Sequence, residues 1–249
     1  MPLSELHWFS PVLGKQVATY VILPDAGDPP FATFYLLHGL SDDYTIWLRR
    51  TSIERYAQQY PLIIVMPDGY RGFYTNNDAG PAYATYLAED LVKTIDRTFP
   101  TRRDRASRGI GGLSMGGYGA LRLSLGYPHL FAAATSHSGA LLHGSRDNPR
   151  KGGALQPPEF HRIFGNDPRG TEHDLLALAQ RCKSHETLPK IRIDCGTEDD
   201  LLADNRELHK QLDAMQVPHE YEEFSGKHDW EYWDRHVQEA LAFQHKHLK

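Results

Sequence analysis

Short apolar segments that end at glycine or proline alternate with longer amphipathic segments along most of the chain. Continuous apolar runs of this length are typical of strands buried on both faces of a sheet. Strands separated by helices pair in parallel, because a parallel partner requires a crossover connection. The pattern predicts an α/β fold with a mostly parallel central sheet and helices on both faces, with any antiparallel pairing among the first strands. The expected strands are 17–23, 33–37, 62–66, 108–113, 132–136, 191–195 and 219–224.

The expected helices carry apolar side chains at three- and four-residue spacing, which puts those side chains on one helix face. Segment 83–98 shows such a stripe, and segments 53–60 and 230–241 repeat the spacing. The apolar positions of the first segment are Tyr83, Tyr86, Leu87, Leu91 and Ile95. We expect these faces to pack on the sheet.

Length and composition fit one domain over residues 1–249, since a single α/β domain can reach that size. The formal net charge is −5 and no long run of lysine or arginine occurs, which disfavours a nucleic-acid or membrane partner. Cys182 and Cys195 form neither a disulfide framework nor a zinc-binding spacing, which indicates reduced thiols in a cytoplasmic protein. Residues 1–5 predict no signal peptide, and the apolar runs are too short to span a bilayer.

One region departs from this alternation. Residues 141–174 are rich in glycine, proline, arginine and histidine and lack long periodic stretches. Long irregular segments inside a compact domain are usually functional or disordered. Because this segment follows an expected strand, it should lie at the carboxyl edge of the sheet, where ligands bind in open α/β folds. We interpret it as a small cap-like insertion that partly covers the site, with a mobile surface loop as the alternative.

The sequence Gly112-Leu113-Ser114-Met115-Gly116 matches the pattern G-x-S-x-G. It follows an expected strand and precedes an expected helix, which is the context of a nucleophile elbow. A nucleophilic serine must stand on a sharp turn, and side chains two residues before and after it would crowd that turn. The N–H groups that begin the next helix favour a developing negative charge. The pattern predicts Ser114 as the nucleophile.

A second turn, His38-Gly39-Leu40, ends another expected core strand. In folds with a nucleophile elbow, such a turn supplies one backbone N–H to the oxyanion, and the residue after the nucleophile supplies the other. Leu40 and Met115 are therefore the candidate donors. These donors favour the tetrahedral state, because the negative charge appears only there. We expect His38 to brace the turn.

A serine hydroxyl needs a base, normally histidine, and a carboxylate that orients the imidazole. The usual chain order with this elbow is serine, acid, histidine, so the histidine should lie late in the chain. His228 lies in a loop between the last expected strand and the final expected helix, at the edge that carries Ser114. The other late histidines fall in helical patterns or open a strand; they are His209, His219, His236, His245 and His247.

The acid should follow the expected strand 191–195. Glu198, Asp199 and Asp200 lie in the segment after it, and Asp194 lies just before that segment. Spacing alone does not distinguish among these carboxylates. An acid that is not used would cap a helix or remain solvated, and Asp200 is well placed ahead of the next expected helix.

Taken together, these motifs resemble the esterase D-like family of α/β-hydrolases, the putative esterases, and among them the tributyrin esterases, which are small intracellular carboxylesterases. The matching stretches are 36–40, Trp47 with 49–51, 66–69, 112–120, 195–199 and 228–230. The resemblance implies that Asp199 is the acid, that Leu40 and Met115 form the oxyanion hole, and that a homo-oligomer is possible. Asp200 departs from the family, which often has an apolar or aromatic residue there.

The resemblance implies hydrolysis of short-chain acyl esters through an acyl-enzyme, with a small-molecule ester as partner and no cofactor or metal. Alternatives are S-formylglutathione hydrolase or another thioesterase, feruloyl esterase, an acyltransferase, and a non-catalytic binding module. Segment 41–47 lacks the cysteine expected of a formylglutathione hydrolase. Tyr44, Trp47 and Trp230 are the candidate substrate-binding residues. Other aromatic residues near the same edge are Tyr70, Phe73 and Tyr74.

Overall fold

One eight-stranded sheet forms the centre of the protein in a computed structural model that describes residues 1–149 and 151–249. Its strands are β1 (Leu3–Ser10), β2 (Lys15–Ile22), β3 (Ala32–Leu37), β4 (Leu62–Pro67), β5 (Arg108–Leu113), β6 (Ala133–His137), β7 (Lys190–Gly196) and β8 (Glu220–Phe224). Their order is β1-β2-β4-β3-β5-β6-β7-β8. The pairs β1–β2 and β2–β4 are antiparallel, and all the others are parallel. The predicted mostly parallel sheet with antiparallel first strands is confirmed.

Strand β1 was not among the expected strands. It is an edge strand, and its side chains are exposed or half-buried in alternation along almost its whole length. A half-exposed strand has no continuous apolar run, so the feature that predicts the central strands is missing from it.

The helices connect the strands and cover both faces of the sheet. They are α1 (Ile46–Arg50), α2 (Ile53–Ala57), α3 (Tyr83–Thr85), α4 (Val92–Thr98), α5 (Met115–Gly126), α6 (Pro157–Phe164), α7 (Leu175–Ser184), α8 (Leu202–Ala214) and α9 (Trp230–His247). A π-helical segment, Tyr86–Leu91, joins α3 to α4, and short 3₁₀ turns cover Arg105–Ser107 and His143–Ser145. No helix in the described ranges combines the length and apolarity needed to cross a membrane.

Buried apolar side chains form one group on each face of the sheet, because successive strand residues point to opposite faces. In β3, Tyr35 belongs to one group and Phe34 to the other. The first group includes buried positions of α5, α7 and α8, and the second includes those of α2 and α9. The two groups fix the strand register, since a shift by one residue would exchange the faces of every side chain.

The carboxyl ends of the parallel strands lie side by side at one edge of the sheet. Leu37 at the end of β3 pairs with Gly112 of β5, and Gly196 of β7 pairs with Phe224 of β8. The loops that leave this edge include 38–45, 138–142, 197–201 and 225–229. The edge therefore gathers the segments that carry the candidate site residues.

Segment 141–174 contains more regular structure than its composition indicates. Helix α6 begins at Pro157 and Pro158, and proline is compatible with a first helical turn because those N–H groups have no partner within the helix. The helix ends at Gly165, which has a φ of 74°. A helix of this length is too short to give a long periodic pattern.

The close approach of α5 to the end of β3 leads to a stability prediction. A Cβ atom on Gly116 would lie 2.6 Å from the carbonyl oxygens of both Leu37 and His38, whereas one on Gly126 would have no neighbour closer than 3.7 Å. We therefore expect Gly116→Ala to lower the free energy of unfolding by roughly 1–3 kcal/mol or more, because backbone cannot move aside cheaply. Gly126→Ala is the matched control. Equal melting temperatures for the two variants would contradict this close packing around Gly116.

Candidate active site

Ser114 lies on a strained turn between β5 and α5. Its φ of 53° and ψ of −114° fall in a region that residues other than glycine rarely adopt. Three hydrogen bonds hold this turn. The Ser114 N–H donates to the carbonyl oxygen of His137 at 2.9 Å, and the Ser114 carbonyl accepts from the N–H groups of Tyr118 and Ala140 at 3.1 and 3.0 Å. The hydroxyl is therefore presented at the carboxyl edge by rigid neighbours on two sides.

His228 connects Ser114 to Asp199. Its Nε2 lies 3.0 Å from the Ser114 Oγ, and its Nδ1 lies 2.9 and 3.1 Å from the two carboxylate oxygens of Asp199. Because a carboxylate accepts hydrogen bonds, Nδ1 carries the proton in the neutral imidazole and Nε2 is left to accept one from the serine hydroxyl. The indole of Trp233 meets the His228 ring edge-on at a centroid distance of 4.9 Å. The imidazole thus has both a fixed tautomer and a fixed plane.

Asp199 is buried below His228. Burial alone raises the pKa of this carboxyl, but the hydrogen bond and charge of His228 and the N–H of Leu201 outweigh burial and lower it. The Leu201 N–H donates to Asp199 Oδ1 at 2.7 Å. Since the pKa is lowered, Asp199 keeps its negative charge at neutral and mildly acidic pH. The side chain is able to hold the Nδ1 proton of His228 over that range.

The three other carboxylates that spacing left open have different surroundings. Asp194 is fully buried and binds His137 and Tyr232. Glu198 accepts a hydrogen bond from the N–H of Gly226, which fixes the loop before His228. Asp200 lies on the wall of the adjacent cavity. Of the four, Asp199 is the one in contact with His228.

The two backbone N–H groups expected to bind an oxyanion belong to Leu40 and Met115. Among the described residues, neither N–H has a hydrogen-bond partner. Met115 opens α5 directly after Ser114, and the Leu40 turn packs against the elbow because a Cβ on Gly39 would come within 3.8 Å of the Ser114 Cβ. Neither N–H is therefore occupied by another described residue, and both belong to turns that adjoin Ser114.

His38 braces this second turn. Its Nδ1 donates to the carbonyl oxygen of Gly39 at 2.8 Å, and its Nε2 accepts from the N–H of Gly69 at 2.9 Å. The Tyr74 hydroxyl donates to the His38 carbonyl at 2.9 Å. These bonds require a neutral imidazole protonated on Nδ1. The bracing role expected of His38 agrees with this geometry.

A cavity of about 540 Å³ opens in front of Ser114 and His228. Its wall is mainly apolar and includes Leu40, Phe73, Leu155, Trp230 and Trp233. Residues 152–155 of the irregular segment contribute one side of it. An apolar cavity with a few convergent polar groups is the usual form of a small-molecule site.

Two of the three residues expected to bind substrate do not line this cavity. Trp47 is buried behind it, where its Nε1 donates to the carbonyl oxygen of Leu37 and its ring packs edge-on against Trp230. Tyr44 donates to Glu5 and packs against Tyr20. The predictions for Tyr44 and Trp47 are therefore wrong, and only Trp230 lies on the wall. A position near the carboxyl edge does not specify toward which side an aromatic ring turns.

The other aromatic residues near the edge also differ in whether they line the cavity. Phe73 lines the cavity, Tyr74 is buried against His38, and Tyr70 is exposed. Trp233 also lines the cavity, although its spacing in the final helix predicts only core packing. The position of Trp233, five residues after His228, could have predicted that it lines the cavity, since the first turns of that helix must lie near the base.

A buried polar network that the sequence does not predict lies under the elbow. The Nδ1 atom of His137 lies 2.8 Å from Asp194 Oδ2, and the Tyr232 hydroxyl donates to Asp194 Oδ1 at 2.8 Å. The backbone of the same residues holds the site, because the Asp194 carbonyl accepts from the Ser138 N–H at 2.8 Å and the His137 carbonyl accepts from Ser114. The network joins β6, β7 and α9 directly beneath Ser114.

Charged side chains hold the irregular segment against the cavity rim. The guanidinium of Arg71 binds both carboxylate oxygens of Glu159 in α6, at 2.7 and 2.8 Å. Arg71 also donates to the hydroxyl of Ser41, a wall residue, at 2.7 Å. The hydrogen bond to Arg71, opposed in part by burial, lowers the pKa of Glu159. Such a bidentate pair fixes both distance and orientation between the two segments.

Solved structures with the same fold identify the class of this protein. The fluorophosphonate-binding serine hydrolase FphF of Staphylococcus aureus is 32% identical, with a TM-score of 0.87 over 98% of each chain. An S-formylglutathione hydrolase of Staphylococcus aureus is 31% identical, with a TM-score of 0.86 over 98% of each chain. The protein is therefore a serine hydrolase of the α/β-hydrolase fold.

The family follows from the sequence comparison. Residues 10–244 match the family described as "Putative esterase", and the chain belongs to that family. An acetyl esterase of Caldicellulosiruptor saccharolyticus is 30% identical over 263 aligned positions, which cover 99% of this chain and 99% of the relative. The protein is a serine carboxylesterase, and the predicted hydrolysis of carboxylic esters is confirmed at that level.

The contrast between Asp199 and Asp200 leads to a second prediction. Asp199→Asn should lower turnover by about 10³–10⁴-fold, because an amide can present its N–H to His228 and favour the wrong tautomer. Asp200→Asn, a change of the same size at the neighbouring residue, should alter turnover by less than about 10-fold, since Asp200 does not contact His228. Steady-state kinetics on one ester decide the matter. A larger loss of turnover in the Asp200 variant than in the Asp199 variant would show that Asp199 is not the acid.

Proposed function

We propose that Ser114, His228 and Asp199 form the catalytic triad of a carboxylesterase that acts on short-chain acyl esters. The observation that carries this proposal is the continuous chain of hydrogen bonds from Asp199 through His228 to the Ser114 hydroxyl, which ends at the open cavity. The nucleophile Ser114 needs a base, which His228 supplies. The base needs an acceptor for the proton on its other ring nitrogen, which Asp199 supplies.

The reaction begins when Ser114 Oγ attacks the ester carbonyl and His228 Nε2 takes the hydroxyl proton. The carbonyl oxygen becomes negative and accepts hydrogen bonds from the N–H groups of Leu40 and Met115, which stabilise it more than the neutral carbonyl. The tetrahedral state collapses, the bond to the alcohol breaks, and His228 gives its proton to the departing oxygen. The products are an alcohol and an ester of Ser114.

Water then enters the position of the alcohol. His228 removes one proton from that water as its oxygen attacks the acyl carbon, and the same two N–H groups bind the second oxyanion. Collapse returns the proton to Ser114 Oγ and releases a carboxylic acid. Asp199 remains ionised throughout and stabilises the imidazolium of His228, which is consistent with its lowered pKa.

The size and lining of the cavity support a small, uncharged substrate. Its volume of about 540 Å³ is within the ordinary range for small-molecule sites, ~300–1,000 Å³. The relative from Caldicellulosiruptor saccharolyticus is an acetyl esterase. The bulky side chains Phe73, Leu155 and Trp233 would limit acyl length. We therefore propose acetyl to butyryl esters as the preferred class.

A glutathione thioester is the second candidate, because one structural relative is an S-formylglutathione hydrolase. The charge of the wall does not favour it. Asp42, Asp200 and Asp229 line the cavity, and no lysine or arginine is among its described lining residues. Glutathione carries carboxylates, which such a wall would repel.

We also propose that residues 141–174 partly cover the site within a single domain of residues 1–249. Support comes from residues 152–155 on the cavity wall and from the bond between Arg71 and Glu159.

A cytoplasmic location is supported by Cys182 and Cys195, both free and buried. A homo-oligomer is supported by Leu3 and Phe9, exposed apolar side chains on the edge strand β1.

A panel of nitrophenyl esters from acetate to laurate, with methyl ferulate and S-formylglutathione added, tests the proposed function. We expect kcat/KM to be highest for the shortest acyl groups. Ser114→Ala should lower turnover by about 10⁴–10⁶-fold, because the triad acts as a unit. Full activity in that variant would contradict the assignment of Ser114, and a maximum at laurate would contradict the substrate class. Product analysis with a competing alcohol distinguishes hydrolysis from acyl transfer.

The link between Arg71 and Glu159 gives a test of the cover. Glu159→Gln removes the charge that holds α6 to Arg71, so residues 152–155 should hold the substrate less firmly. We expect KM to rise roughly 3–10-fold, because the variant weakens one charge-assisted hydrogen bond. The change in kcat should be smaller. Arg162→Gln is the control, because Arg162 is exposed and only reaches Glu159 at 4.0 Å. Equal kinetics for both variants would mean that the segment does not act on the substrate.

A further inference from the structure

Three side chains with metal-binding atoms meet at the junction of α8 and β8. His209 and Asp213 lie one helical turn apart on α8, and His219 directly precedes β8. Each can bring one ligand atom to a common point, with all three atoms within 4.8 Å of one another. The proposed esterase mechanism uses none of these residues.

The tautomer of His219 suits a ligand. Its Nδ1 lies 2.8 Å from the carbonyl oxygen of Val217, and since a carbonyl can only accept, Nδ1 carries the proton. The lone pair of the neutral ring is then on Nε2, which points to His209 at 2.8 Å. A ligating histidine usually donates its other N–H to a carbonyl or carboxylate, which fixes the ring and makes the ligand nitrogen more basic. His219 has this arrangement.

His209 and Asp213 complete the group. The His209 ring is held in place by packing, whereas the Asp213 side chain is exposed. The ring of Tyr221 stacks on His209 at 4.3 Å with an angle of 9° between the planes, so the imidazole is held in position. Asp213 Oδ2 lies 3.5 Å from His209 Nε2, and its Oδ1 lies 4.0 Å from His219 Nε2. The Asp213 side chain is 64% exposed, whereas that of His219 is 2% exposed. An ion would therefore reach a buried ligand from the solvent side, and Asp213 could adjust to it.

We propose that His209, Asp213 and His219 bind one divalent transition-metal ion of the zinc type. Two imidazoles and a carboxylate suit zinc and its neighbours, whereas calcium and magnesium prefer oxygen ligands only. The proton that lies between His209 Nδ1 and His219 Nε2 would move to the other nitrogen of His209, which leaves both facing nitrogens free to coordinate. Water would fill the fourth position.

The location indicates a structural role for the ion. It would join the carboxyl-terminal end of α8 to the start of β8 across the turn at Gln216, a non-glycine residue with a φ of 54°. This is the amino end of β8, whereas His228 follows the opposite end of that strand. We therefore expect the ion to stabilise the fold and to leave ester hydrolysis almost unchanged.

Calorimetric titration of the chelator-treated full chain with Zn²⁺ tests the site. We expect about one ion per chain for the wild type and a loss of affinity of at least about 10-fold in His209→Gln and in Asp213→Asn. Both side chains are at least partly exposed, so these variants should fold. His185→Gln, which changes an exposed histidine outside the group, is the control and should bind as the wild type does.

Two further measurements test whether the ion binds at His209, Asp213 and His219 and not at His228. His228→Gln should bind the ion as the wild type does, since the proposed ligands are elsewhere. Zn²⁺ at about 100 times its Kd should raise the melting temperature of the wild type by roughly 5 °C or more, and that of the two ligand variants much less. Absence of binding, loss of binding in His228→Gln, or equal binding in the ligand variants and the wild type would overturn the proposal. The esterase assay of the same samples is independent of this outcome.

Discussion

The left-handed backbone of Ser114 is the constraint on which the rest of the site depends. The conformation is unfavourable by itself, and three backbone hydrogen bonds together with close packing of β5 and α5 maintain it. That packing requires Gly112 and Gly116, because a Cβ at either position would lie within 2.7 Å of neighbouring backbone atoms. The same short approach brings the first N–H of α5 beside the hydroxyl. A single turn therefore provides the strain, the proposed nucleophile and one proposed oxyanion donor.

Buried polar groups carry this constraint across the sheet. The His137 and Asp194 carbonyls hold the backbone of residues 114 and 138, while their side chains bind each other and Tyr232 of α9. Breaking such a network would leave buried charges without partners, which is costly in a medium of low dielectric constant. The site is thus supported by side chains that never face the substrate, and the helix that contains Tyr232 begins two residues after His228.

Sequence alone predicts the parts of this protein that depend on local geometry. Continuous apolar runs identify the central strands, and the glycines around Ser114 and the loop position of His228 follow from what a turn can accommodate. The half-exposed edge strand β1 lacks that signal. The prediction that Asp199 is the acid needed the family resemblance, since four neighbouring carboxylates have similar spacing. Tyr44 and Trp47 were misassigned because the direction of a side chain at the sheet edge depends on packing with distant residues such as Tyr20 and Trp230.

The proposed triad and the cavity wall depend only in part on the same segments. Ser114, Asp199 and His228 follow three strands of one rigid sheet, so their separations change little when surface loops vary. The cavity wall combines loops that follow the strands with residues 152–155, Phe73 and α9, and the contact between Arg71 and Glu159 links two of these regions. Relatives with the same fold can therefore keep the acyl-transfer geometry while accepting different esters. For this chain, the wall is mainly apolar and contains three carboxylates and no described lysine or arginine, which is the basis of the proposed preference for uncharged esters.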